Sequence, residues 1–173
     1  MRILLLSIFS IFLFFNNPAN SQQKIAFIDM DKVISVSNSG SSILKQLNNL
    51  NNKNLKFFEN EEKTLKEKET KLISQKNIIT EVDFINKVAE LKSDIKNYNQ
   101  NKKTIIKDFN KLKVENTNKL LKLINPILVK FSNDKEISLI LKKKNLVVAK
   151  TELDITDEII KIINTEVKEF KIK

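Results

Sequence analysis

The chain has 173 residues, with 31 Lys and Arg against 21 Asp and Glu, and a net charge of +10. It contains no Cys, no His, no Trp and a single Gly. That composition excludes a thiol nucleophile, an imidazole acid or base, disulfide staples and a glycine-rich phosphate loop, and no EF-hand spacing of carboxylates occurs. Neither an enzyme, nor a metal centre, nor a bound cofactor is expected.

The first stretch, "MRILLLSIFSIFLFFNNPANSQQ", has Arg2 ahead of an apolar run from Ile3 to Phe15, then turn-forming and small residues. Ala19 and Ser21 occupy the positions expected before a cut at Gln22, so residues 1–21 read as a secretory signal peptide. The apolar run is short for a transmembrane helix. Without cysteine there is no site for a lipid anchor on that residue. Cleavage leaves 152 residues (173 less 21), one domain by length.

"KIAFIDMD" follows, with Ile25, Phe27 and Met30 set against smaller or polar neighbours, and it reads as a short strand inside an opening body segment at 22–41. One strand is unstable until it pairs. The next strand-forming stretch, "ISLIL" at 137–141, lies more than a hundred residues later.

Between them, residues 42–130 read as a helical hairpin. No Gly falls in this span and no Pro before Pro126, and Glu59, Lys63, Glu67 and Lys71 are spaced for i,i+4 ion pairs. Phe84, Val88, Leu91, Ile95, Tyr98, Ile105, Phe109, Leu112 and Leu120 form a heptad seam interrupted by Lys102 and Asn116, both read as fixing register. The first half is leaner, with Leu44, Phe58, Leu65 and Leu72 in one register. Thr80 followed by Asp83 is a capping-box pattern that starts a new helix, so the tip is expected near 76–80. A hairpin returns the chain to "KIAFIDMD", whereas one continuous helix would strand it. Residues 45–130 hold 19 Lys and 11 acids, so the basic excess sits in the arm.

Residues 131–173 are the return part of the body. Pro126 is a point where the helix can kink or reset. "EISLILKKKNLVVAKT" reads as strand 137–141, basic turn 142–145 and strand 146–150. A closing helix follows with Asp154 or Thr156 as cap and Ile155, Ile159, Ile162, Ile163 and Val167 apolar. The expected fold class is α+β: a long antiparallel helical hairpin on a small β-rich oligomerisation head with a C-terminal helix. Three strands and a helix bury little surface alone, so the head is expected to self-associate.

The ordered combination of signal, "KIAFIDMDKVISVSNSG", lysine-rich hairpin, "LLKLINPILVKFSNDKEISLIL" and "NLVVAKTELDITDEIIKIIN" resembles the Skp family of OmpH-like periplasmic chaperones. The resemblance implies a homotrimer with a β-rich body and three helical arms around a cavity. It further implies that unfolded outer-membrane β-barrel proteins are held there in the periplasm without ATP. The family also has a lipopolysaccharide-binding site of basic arm residues. Its positions do not carry over to this sequence, whose one Arg is Arg2 in the signal.

Holding unfolded chains calls for apolar side chains left over from the seam. Phe57, Phe58, Ile73, Ile78, Ile79, Val82 and Ile106 are the candidates for client contact. The Phe57–Phe58 pair equally fits one ring packed in the seam and one outside. The basic arm would draw acidic clients, and "KKKN" at 142–145 is either a solvated turn or a contact for anionic lipid or lipopolysaccharide phosphate. The alternative function is a structural or adaptor coiled-coil protein of the envelope. Specific nucleic-acid binding is disfavoured by interleaved acids, one Tyr and no Arg after the signal.

Overall fold

The computed structural model describes residues 23–173; the expected signal segment lies outside the described residues. Strand β1 (Lys24–Ile28) leads directly into a short helix α1 (Met30–Val36), and the strand stops earlier than expected. Asp29 ends it by acting as an N-cap, its carboxylate accepting from the Lys32 N–H at 2.9 Å. Nor do the side chains of β1 alternate. Ala26, Phe27 and Ile28 are all buried while Ile25 is 44% exposed, the pattern of a strand covered on both faces.

Helix α2 (Asn38–Gln75) starts from an N-cap at Ser37, and α3 (Glu81–Asp134) runs back against it. By rise per residue they span about 57 Å and about 80 Å. The break between them forms as the sequence predicts. Thr80 Oγ1 accepts from Asp83 N–H at 3.1 Å and donates to the Asp83 carboxylate at 2.7 Å. Pro126, however, does not end or reset the helix: α3 continues through it to Asp134. Glu136, just beyond, takes a left-handed conformation (φ 55°) that turns the chain into strand β2 (Ile137–Lys142).

β2 pairs with β1 in parallel, from Lys24 opposite Ile137 to Ile28 opposite Lys142. Parallel neighbours need a long crossover, and here the crossover is the whole arm. The expected strand at 146–150 is absent. Residues 143–145 form a single 3₁₀ turn, and the sheet has two strands, not three. A strand without a partner has no ladder to hold it, and within one chain nothing pairs with 146–150.

Helix α4 (Thr156–Glu166) closes the body. Its N-cap is neither Asp154 nor Thr156 but Ile155, whose apolar side chain makes no capping bond and is buried in the core instead. The two expected residues tie the helix start to the body: the Asp154 carboxylate accepts from the Thr156 amide (2.9 Å) and hydroxyl, and the Thr156 hydroxyl accepts from Asp29 N–H at 2.9 Å. Ile155, Ile159, Ile163 and Val167 are buried as expected and Ile162 is half-buried, while Ile160 joins the buried set as well. Together with Val33, Ile43, Leu47, Leu120, Ile124 and Phe131 they make the core, at the junction of β1, α1, α4 and the arm base. The single glycine sits where α1 meets α2. A Cβ on Gly40 would lie 2.0 Å from the Ile34 carbonyl oxygen.

Candidate client-binding surfaces

Two helices alone cannot surround their seam, so most of it stays half-open. Phe58, Leu72 and Leu120 are buried, but Val88, Leu91, Tyr98, Ile105, Phe109 and Leu112 are only half-buried and Ile95 is 41% exposed. Polar ties complete the contact: Lys68 to Asp94 at 2.6 Å, Lys102 to Glu62 at 2.7 Å, and Lys87 Nζ donating to the Gln75 side chain at 3.0 Å. The Tyr98 hydroxyl also donates to Glu62. The hydrogen bonds from Lys102 and Tyr98 hold Glu62 below the usual carboxylate range, and the bond to Glu62 raises Lys102. Burial and then the Glu62 bond push Tyr98 up, and the bond to Asp94 raises Lys68.

Lys102 thus bridges the helices as a register-fixing residue should. Asn116 does not. It is buried, yet it donates to the Leu112 carbonyl of its own helix at 2.8 Å, satisfying itself locally.

The seven residues singled out for client contact fall into three situations. Ile73, Ile78 and Val82, all near the tip, are 65%, 79% and 67% exposed; Ile79 beside them is half-buried. Phe57 and Ile106 are partly exposed along the arm. Phe58 is packed in the seam, edge-on to Phe57 with ring centroids 5.9 Å apart and under the Lys102 ammonium at 5.2 Å. The structure adds Ile85, which the sequence reading passed over; it is exposed one helical turn from Val82 and three heptads from Ile106. Its signal was available, as an apolar residue just outside the seam next to Phe84.

On the body, Val147 and Val148 are 99% and 88% exposed, the most open large apolar side chains among the described residues. They follow β2, which has β1 on one edge and no strand on the other. A groove of ≈ 650 Å³, lined among others by Met30, Ile34, Leu128, Val129 and Leu139, lies beside it. The basic turn is partly spoken for: Lys143 Nζ is 3.7 Å from Asp29 and 3.8 Å from Asp154, leaving Lys142 and Lys144 for solvent. Burial pushes the Asp154 carboxyl up, but hydrogen bonds from Thr156 and the neighbouring Lys143 and Lys32 bring it net below its ordinary value. Among the described residues no cluster of carboxylates could hold a metal, and no helix is long and apolar enough to cross a membrane.

A small body whose parallel sheet is bridged by a long helical arm defines a class of arm-bearing proteins. Within it, the OmpH-like outer membrane protein family profile matches residues 24–163, so the chain belongs to that family. A solved structure of an OmpH-like candidate outer membrane chaperone from Caulobacter crescentus CB15 superposes with a TM-score of 0.78. It covers 86% of this chain and 88% of its own, at 13% identity, a likeness of fold. No curated protein matches the sequence.

Proposed function

We propose that the chain is an ATP-independent holdase chaperone of the periplasm, secreted through a cleaved signal. As a homotrimer it would hold unfolded outer-membrane β-barrel proteins in a cavity between its arms. The observation that carries the reading is the set of apolar side chains that the hairpin leaves open, above all Ile73, Ile78, Val82 and Ile85 around the tip. Such residues attract apolar segments without selecting a sequence, each methylene adding about 0.8 kcal/mol when covered. The +8 excess over residues 45–130 adds a salt-sensitive attraction for acidic chains.

Self-association is supported by the body. An unpaired β2 edge and the open Val147 and Val148 are what a second copy would cover, converting 146–150 into the strand its composition favours. The open Lys142 and Lys144 are the part of the turn that would meet lipid or lipopolysaccharide phosphate.

The test dilutes a urea-unfolded outer-membrane β-barrel protein into the 22–173 protein without nucleotide, following light scattering and the mass of the complex. Suppressed aggregation at one trimer per client is the expected result. Unchanged aggregation with a well-folded oligomer would leave the envelope spacer as the reading.

A further inference from the structure

Beyond α4 the chain leaves the helix at Val167 (φ −102°, ψ 108°) and residues 168–173 cross the arm base without secondary structure of their own. Gln46 on α2 holds this tail through its main chain: its side-chain Nε2 donates to the Phe170 carbonyl at 3.0 Å and its Oε1 accepts from the Ile172 N–H at 3.2 Å. One amide bonded to the carbonyl before Lys171 and the N–H after it reproduces what a residue on a neighbouring parallel strand does. From α3, the Lys119 ammonium lies 4.2 Å from the Phe170 ring centroid. Val167 is buried, Phe170 and Ile172 are half-buried against the core, and Lys168, Glu169, Lys171 and Lys173 face solvent.

We propose that this groove, between Gln46 on α2 and Lys119 on α3, is a receptor for an extended peptide strand, and that the tail is its displaceable resident. The groove recognises main-chain groups, one aromatic ring and an apolar residue two positions later. That chemistry is independent of exact sequence. Strands of outer-membrane barrels alternate apolar and polar residues and are rich in aromatics at their ends, so an unfolded barrel protein carries many segments that match. The tail competes only by being tethered, which raises its local concentration; a client held in the arms gains the same advantage with several strands at once. Family membership assigns the tail nothing, because the match stops at residue 163.

The inference about clients rests on the chaperone reading, whereas the groove itself does not, and two measurements separate them. First, amide exchange at Ile172 is followed in the 22–173 protein with and without an unfolded outer-membrane β-barrel protein. Exchange accelerated at least fivefold in the complex is expected; unchanged protection in a complex that does form overturns displacement. Second, a fluorescent peptide of residues 166–173 is titrated into the protein ending at Val167, into the same protein carrying Gln46→Ala, and into the 22–173 chain. Tenfold tighter binding to the shortened protein than to the other two supports the groove. Equal binding to all three, or none to a folded shortened protein, overturns it. Should the shortened protein not fold, Phe170→Ala in the 22–173 chain replaces it, since it loosens the resident tail and leaves Gln46 and Lys119 in place. Tenfold tighter uptake of the unmodified 166–173 peptide by that variant than by the 22–173 chain supports the groove, and equal or no uptake with Ile172 exchange already accelerated overturns it. A protein that forms no complex with the client sinks the chaperone reading, and the peptide titration still decides the groove.

Discussion

Lys102 Nζ sits 2.7 Å from Glu62 Oε1 across the arm, with the Phe58 ring centroid 5.2 Å away and that of Tyr98 5.4 Å away. A lysine at a heptad seam position therefore closes the hairpin from inside. It replaces an apolar contact with an ion pair and two cation–π contacts.

That knot makes the arm sensitive to pH at both extremes. Glu62 is held below its reference of 4.5, so its contribution is present above about that pH and is lost as pH falls through the lowered value. Lys102 and Tyr98 are raised from 10.5 and 10.0, so theirs is present below those values and is lost as pH climbs through the raised ones. Amide exchange along residues 58–66 and 95–105 is expected to be flat between pH 5 and about 9, after correction for intrinsic rates, and faster below pH 4. In Lys102→Met the acid acceleration should largely disappear.

Gly40→Ala is expected to destabilise the body by about 1–3 kcal/mol. A methyl there meets the backbone carbonyl of Ile34, which cannot swing aside as a side chain would. Urea unfolding of the 22–173 protein measures it, and Ser41→Ala serves as the neighbouring control, since its hydroxyl only reaches the Asn38 carbonyl.

The double change Val147→Asp with Val148→Asp is expected to dissociate the proposed homotrimer while leaving helix content near that of the parent. Both residues are almost wholly exposed within one chain, so the monomer loses no packing. Mass by light scattering together with circular dichroism is the check. A charged trimer of unchanged mass would move the interface elsewhere.

Replacing Ile73, Ile78, Val82 and Ile85 together by Ser is expected to weaken client capture several-fold with a change in melting temperature of less than a few degrees. All four side chains are more than half exposed, and removing them costs the fold little. Light-scattering assays against an unfolded barrel protein, with a thermal melt alongside, measure both arms of the expectation.

Glu136→Gly is expected to stabilise modestly, by up to about 1 kcal/mol. Glu136 is the one non-glycine residue at positive φ among the described residues, and its ion pair with Lys24 is highly exposed and worth little. A thermal melt of the variant reads the sign directly.

Local chemistry was enough for much of this architecture. Periodicity marked both arm helices, Thr80 and Asp83 marked the break between them, and the need of "KIAFIDMD" for a partner required the chain to come back. These features are written within a few residues of one another or follow from chain connectivity. The exposed tip residues were legible for the same reason, as apolar residues outside a seam. Two further features are local but lie outside the patterns read: Asp29 caps a helix through Lys32 N–H where alternation suggested more strand, and Asn116 bonds the Leu112 carbonyl of its own helix instead of pairing across the seam. Two others were decided only across the body: 146–150 finds no strand to join, and Gln46 takes hold of a tail 124 residues and more away. No pattern in sequence encodes a partner that far off, because a side-chain amide or a strand edge is neutral about what it binds until packing brings one candidate within hydrogen-bonding reach.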